Sequence, residues 1–302
     1  MRPAVSVIVA ARDYGRYLAA ALDSVRRQTL GDYECLVVDD GSADDTPRVA
    51  RPFLADRRFR YVRNEGLGQS RAKSLGVRLT SAPLVAFLDA DDVWLPTKLE
   101  RQWRLFRADP RLGLVHTRRS LIGPGGEHIG RSPHEPQRGA ALEKILINNT
   151  VCFSSVMVRR EVLEHVGLFD PGLDLAIDYD LWLRLTRHYP IDFIDEVLVR
   201  YRTGHGNLSK RVTERLAIAL SVQRRFLDRR RGRDAVSDFA YRTAWSSTYR
   251  TAGYLGRAAG VWESLRWYLR ALAAGQGRRE TLRGIAGTLT RAGARLLGRA
   301  PG

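Results

Sequence analysis

The chain has 302 residues, 44% hydrophobic and 27% charged, a composition ordinary for a soluble α/β protein with one large domain and an appendage. It has no apolar run of the ~18 residues that a membrane span needs, and Met1, Arg2 and Pro3 pass straight into a strand-like segment, so neither a transmembrane helix nor a signal peptide is expected and the expected compartment is the cytoplasm. The net charge of +17 is lopsided: residues 203–302 carry 20 Lys and Arg against 6 Asp and Glu, so the basic excess belongs to the tail.

Val5 to Ala10 is a β-branched apolar run, and Tyr17 to Gln28 then places Leu18, Ala21, Leu22 and Val25 at helical spacing. Glu34 to Val38 is a second strand, ending in Asp39, Asp40, Gly41 and Ser42, after which Asp45 and Thr46 can cap a helix before Pro47. Phe59 to Val62 reads as a short strand, Leu67 to Leu79 as a helix and Leu84 to Leu88 as a strand introduced by Pro83. Alternation of this size predicts a parallel, doubly wound sheet.

Lys98 to Phe106 reads as a helix, Gly113 to Thr117 as a strand and Gly123 to Arg138 as a loop rich in Gly and Pro. Ser154 to Val158 is expected to be a strand, Asp178 to His188 a helix and Ile191 to Tyr201 the last strand, with only helices from Val212 and a boundary near Gly204 to Lys210. Cys35 and Cys152 each lie in an apolar run, as buried thiols rather than a disulfide or a metal site.

Two carboxylate groups carry the chemistry. Asp89, Ala90, Asp91 and Asp92 follow the strand Leu84 to Leu88, where an open α/β sheet places its ligand site. Carboxylates this close are not comfortably ionised together without a shared positive charge. A hard divalent cation suits them, since Mg²⁺ or Mn²⁺ is commonly held by one or two carboxylates plus substrate phosphates; a solvated, helix-capping acidic loop is the alternative. Asp39 and Asp40 end the second strand, where a carboxylate can accept from a base imide or a ribose hydroxyl, or can simply close a turn. Ala10, Ala11, Arg12 and Asp13 end the first strand and line the same crevice.

Taken in order, Val5 to Ala11, the helix ending in Gln28 and Thr29, the run Val37 to Ser42, and Phe87 to Asp92 with Trp94, Leu95, Pro96 and Lys98 resemble family 2 of the inverting glycosyltransferases over roughly residues 4 to 210. The resemblance implies a GT-A fold, with a Rossmann-like, doubly wound, mostly parallel sheet and a C-terminal helical extension. It implies a glycosyltransferase domain over 1–208, with a nucleotide-sugar half to about 115 and an acceptor half over 116–208, followed by a basic helical extension over 209–302. Asp40 would contact the nucleotide base, with Ala10 and Asp13 lining the nucleoside pocket. Asp89 and Asp91 would form the D-x-D motif around Ala90, Asp91 being the direct ligand of Mn²⁺ or Mg²⁺. Lys73 matches a basic position near the donor, with Ser74 where Asn is common; a solvated helix face is the alternative for Lys73 and Arg71.

The same resemblance makes Asp178 the catalytic base, with Asp180 as the fallback, in a segment where Ile177 stands for the usual Glu. A carboxylate there would take the acceptor hydroxyl proton as the oxygen attacks the anomeric carbon. His205, one position later than the family's His, is either a metal ligand or a loop histidine, and Arg202 would pair with phosphate or with a surface acid. The implied donor is a nucleoside diphosphate sugar, UDP- or dTDP-linked, and the implied acceptor is a hydroxyl of a glycan or lipid-linked saccharide.

In the tail, Arg229, Arg230, Arg231 and Arg233 cluster, and Arg291, Arg295 and Arg299 lie opposite Leu282, Ile285, Leu289 and Leu296. Such a helix can lie on an anionic membrane, making the enzyme peripheral to the inner face, or can pack its apolar side on the catalytic domain or on a second subunit of a homo-oligomer. Nucleic acid is not an expected partner, since no aromatic and basic interleaving appears. A non-catalytic nucleotide-sugar scaffold is the competing function. A sugar nucleotidyltransferase fits less well, because Ala10 to Tyr14 lacks a Gly-rich basic loop.

Overall fold

The computed structural model describes residues 2–132, 135–205, 212–228, 233–257 and 260–296. The chain divides into two compact units, one of Met1–Ala141 with Thr150–Asn207 and one of Leu142–Asn149 with Leu208–Gly302.

The first unit is built on a nine-stranded sheet. Its strands are β1 (Val5–Ala11), β2 (Tyr33–Asp39), β3 (Phe59–Arg63), β4 (Leu84–Asp89), β5 (Val93–Trp94), β6 (Leu114–Ile122), β7 (His128–Arg131), β8 (Met157–Arg159) and β9 (Ile191–Arg202). They run in the order β3-β2-β1-β4-β8-β6-β9-β5, with β7 on β6. The half β3-β2-β1-β4 is parallel; β8 is antiparallel to both β4 and β6, while β9 is parallel to β6. β1 and β4 are buried on both faces because helices cover each side, which is why their sequences are apolar runs rather than alternating patterns. α1 (Gly15–Arg26) turns Leu18, Ala21, Leu22 and Val25 into the core with Val7, Val9, Leu88 and Leu99. Each such leucine contributes about 2 kcal/mol of burial.

α2 (Thr46–Ala50), α3 (Gln69–Arg78), α4 (Lys98–Ala108), α6 (Arg160–Val166) and α7 (Ile177–Thr186) complete this unit. Two segments differ from the sequence expectation. The expected loop Gly123–Arg138 contains β7, folded back on β6 through a turn in which Gly126 has φ 94°. The expected strand Ser154–Val158 starts as a 3-10 turn over Phe153–Ser155, because Ser155 returns both its amide and its hydroxyl to the Cys152 carbonyl and leaves the ladder to Met157.

The second unit contains α5 (Leu142–Ile147), which falls by sequence within the expected acceptor half, and α8 (Val212–Asp228), α9 (Asp238–Gly256), α10 (Val261–Ala273) and α11 (Arg278–Leu296). Small residues let the last three approach closely. A Cβ on Gly253 would sit 2.9 Å from the Tyr268 ring and one on Gly284 2.3 Å from it, while Arg257 donates to Thr288 Oγ1 and the Gly284 carbonyl. α11 therefore packs through Thr281, Gly284 and Thr288, not through its leucines: Leu282 and Leu289 are 56% and 50% exposed. The expected apolar stripe is thus not the packed face, since a bulky row would hold α11 away from Tyr268. Arg229, Arg230, Arg231 and Arg299, with the side chains of Arg295 and Leu296, lie outside the described residues.

Candidate active site

β1 is flanked by β2 on one side and β4 on the other, so the strand order reverses there and the two acidic strand ends face one crevice. In register, Ala10 pairs with Val38 and Asp89, and Ala11 with Asp39.

On the β2 side the carboxylates are committed to neighbouring loop amides and side chains. Asp40 Oδ1 accepts from Asn64 Nδ2 and Leu67 N, and Oδ2 from Gly68 N, each at 2.9 Å. It braces the loop leading into α3 against Gly41, whose φ of 79° and 3.0 Å clearance from Gly66 N leave no space for a side chain. Asp13, at φ 58°, accepts from Ala43 N at 2.7 Å while its amide donates to Ser42 Oγ. Asp39 is buried between Tyr61, Arg63 and the Ser42 amide.

On the β4 side the carboxylates have side-chain partners. Lys73 is 5% exposed, not solvated as a helix-face lysine would be, whereas Arg71 is exposed. Its Nζ lies 3.1 Å from Asp89 Oδ1 and 3.9 Å from the centroid of the Phe153 ring. Asp91 is 8% exposed and faces His205, whose Nε2 is 2.9 Å from Asp91 Oδ2. Burial, and then the Asp89 charge, push the Asp91 carboxyl up to about 7. Asp92 is fully buried and accepts from Arg202 N at 2.8 Å; burial pushes it well above the carboxylate range. It anchors β9 beside the loop.

His205 arrives on the segment after β9 and is flanked by Tyr17 at 4.7 Å and Tyr14 at 6.2 Å between ring centroids. Arg202 donates to the carbonyls of Asp91, Gly123 and Pro124 and lies over the Tyr17 ring. Sequence reasoning missed Tyr14, Tyr17 and Ser154. Ser154 Oγ accepts from Asp89 N while its carbonyl accepts from Trp94 Nε1, so it positions the carboxylate loop from below. The only available signal was its place one residue after the aromatic Phe153.

Among the described residues no three His, Cys, Asp or Glu side chains are arranged to hold a metal. The buried Asp91 and His205 side chains could supply two ligands of the right chemistry, and oxygens of a diphosphate would have to complete the shell. That division of ligands fits Mg²⁺ or Mn²⁺, which keep several positions for phosphate and water.

Asp178 lies on a separate support. It is half-buried in the first turn of α7, behind Ala176, which is held at φ 53°. The loop before α7 is tied to α3 by Gln69 on the Asp174 carbonyl and Ser70 on the Leu173 carbonyl. Glycine is favoured at that junction because Gly68 has φ 93°. Below, Trp182 of α7 stacks on Phe153, the ring that carries Lys73. Asp180 binds Arg184 at 2.8 Å, and Arg184 also caps the carbonyls of Val166, Gly167 and Leu168.

The sequence profile of glycosyl transferase family 2 matches residues 6–167. The chain belongs to that family. An uncharacterized glycosyltransferase of Nostoc sp. is 34% identical over 174 residues, 55% of this chain and 54% of that one, so the chain spans about half of that relative's length. Among solved structures, residues 1–349 of S. aureus TarS with UDP-GlcNAc align with a TM-score of 0.61 at 14% identity, covering 99% of this chain and 93% of that one. The mannosyltransferase PcManGT of Pyrobaculum calidifontis with GDP-Man and Mn²⁺ aligns with a TM-score of 0.58 at 19% identity, covering 99% and 89%. The family 2 domain here has the GT-A fold of those glycosyltransferases, with a curled, mostly parallel first half and helices at its C-terminal end.

Proposed function

We propose that this family 2 protein is an inverting glycosyltransferase that moves one sugar from a nucleoside diphosphate sugar, UDP- or dTDP-linked, to a hydroxyl of a glycan or lipid-linked saccharide. The carrying observation is the approach of His205 to Asp91 at the end of β4, a buried two-ligand arrangement that needs phosphate oxygens to be complete. A divalent cation bound there supplies Lewis-acid stabilisation of the departing diphosphate. Lys73 holds Asp89 in place beside it, and adds positive charge where negative charge develops. The loop held by Asp40, with Ala10 and Asp13, forms the wall on which the nucleoside lies.

Asp178 takes the acceptor proton. Asp178 stands in the first turn of α7, two residues before Asp180, which is bound to Arg184. A helix N-terminus favours an anion at that position. A thermal-shift screen of nucleotide sugars with and without Mn²⁺, followed by turnover assays of Asp178→Ala, tests the assignment. Binding without any turnover by the wild type would favour the scaffold reading, and turnover by Asp178→Ala would remove the base.

The second unit supports a peripheral membrane site for the enzyme. α10 exposes Trp262 and Leu269 beside Arg266 and Arg270, and α11 exposes Leu282 and Leu289 beside Arg279 and Arg283. Apolar groups interleaved with arginine suit the boundary of an anionic bilayer. No helix among the described residues is long and apolar enough to cross a membrane.

A further inference from the structure

Resting on the proposed sugar transfer, we propose that the acceptor carries an oxyanion, a phosphate ester or a carboxylate, and that Arg119 receives it. The chemistry proposed above uses Arg119 for nothing. It stands on β6, partly buried, with its guanidinium 4.8 Å from the Tyr201 ring centroid. Among the described residues no carboxylate oxygen lies within 4 Å of it. Its neighbour Arg118, by contrast, is neutralised by Asp195. An arginine removed from water without an acid is expensive unless something anionic shares the site.

Arg119 opens into a small recess lined also by Thr117, Ser132, Thr150 and Cys152. The hydroxyls of Thr117 and Thr150 already donate to the carbonyls of Arg118 and Glu135. That leaves the guanidinium fork and Ser132 as the recess's donors, a set suited to two oxygens of one oxyanion. The recess also adjoins the transfer site. Cys152 lines it, while the next two residues, Phe153 and Ser154, carry Lys73 and the Asp89 amide. A substrate group in the recess is therefore held beside the diphosphate, but on the β6 side, which belongs to the acceptor half rather than to β1 and β2.

The test uses the full chain loaded with Mn²⁺ and whichever nucleotide gives the largest thermal shift, so that the donor site is filled. Calorimetric titration compares inorganic phosphate, glycerol 3-phosphate and glucuronate with neutral methyl glucoside. The expected result is binding of the phosphates or of glucuronate but not of the neutral sugar, weakened at least ~10-fold by Arg119→Met with nucleotide affinity unchanged. Phosphate binding with no glucuronate binding assigns a phosphate ester, and the reverse assigns a uronic acid. Ser132→Asp, which places a negative charge at the recess without emptying it, should weaken the same probes and serves if Arg119→Met does not fold. Probe binding that is absent, or unchanged in the folded variants, overturns the proposal. Failure of every nucleotide sugar to shift the wild type would instead remove the transferase reading, and that result is read separately.

Discussion

His205 places its Nε2 2.9 Å from Asp91 Oδ2, bringing the segment after the last strand of the sheet onto the loop after β4. Two proposed ligands from distant parts of the chain meet in a buried place, and neither alone would hold a divalent cation. His205→Ala should abolish the Mn²⁺-dependent part of the thermal shift by nucleotide and lower kcat/KM by ~100-fold or more. Asp91→Asn should do the same, and it should also stabilise the metal-free protein by about 1 kcal/mol or more, because a buried negative charge beside Asp89 is removed. Melting curves with and without Mn²⁺ separate the two effects; an Asp91→Asn protein that keeps its Mn²⁺ response would exclude Asp91 as a ligand.

The two acids of α7 should part company. Asp178→Asn is expected to lower turnover by ~10³-fold or more at unchanged nucleotide affinity, because only the proton acceptor is lost. Asp180→Asn weakens the hold on Arg184 and its three carbonyls, so the expected loss is about 1–3 kcal/mol of stability, with turnover per folded molecule largely kept. Chemical denaturation beside steady-state rates decides between them.

Lys73 sits in a slot sized for an ammonium, between Asp89 and the face of Phe153. Lys73→Met should raise the Kd for the nucleotide sugar ~10-fold and destabilise the fold by about 1–3 kcal/mol, and Lys73→Arg should fail to rescue either, since the larger planar guanidinium does not fit over the ring. Full rescue by arginine would reduce Lys73 to a source of charge.

A stability signature belongs to His116, which is buried on β6 and donates from Nε2 to the Gln137 carbonyl at 2.9 Å. Burial lowers its pKa to about 4. The folded protein thus refuses a proton that the unfolded chain accepts near pH 6.5, so stability is complete above pH 6.5 and falls as the pH drops toward 4, by about 3 kcal/mol in total. Urea unfolding from pH 7 to pH 4.5 should show this slope in the wild type and a shallower one in His116→Gln. Parallel slopes would mean that His116 charges in the fold.

For the second unit, sedimentation with phosphatidylglycerol vesicles should pellet the protein at low salt and not with phosphatidylcholine vesicles. Trp262→Ser with Leu269→Ser should weaken this ~10-fold without changing the melting temperature, because both side chains face solvent. Equal binding to both lipids would argue that the basic surface plays no part.

Much of the site was legible because its residues sit at strand ends, where a buried apolar run followed by Asp, Gly or Ser is a local signal. Asp40, Asp89 and Asp91 were found that way. β5, β7, α5 and α6 were not, because each is short, and β5 also depends on a remote partner: Val93 and Trp94 form a strand only against Arg200 and Val199. Arg202 offered a charge in the sequence and a backbone clasp in the fold, a difference that depends on where Gly123 and Pro124 pass.

Local chemistry along the chain thus specified the parallel half of the sheet, the order of its acidic turns and the family, since apolar runs and turn residues act over a few positions. The pairing of His205 with Asp91, the burial of Lys73 under Asp89 and the recess at Arg119 were decided by tertiary packing. Each joins groups far apart in sequence, and burial, which sets their charge and reach, exists only once the sheet has closed around them.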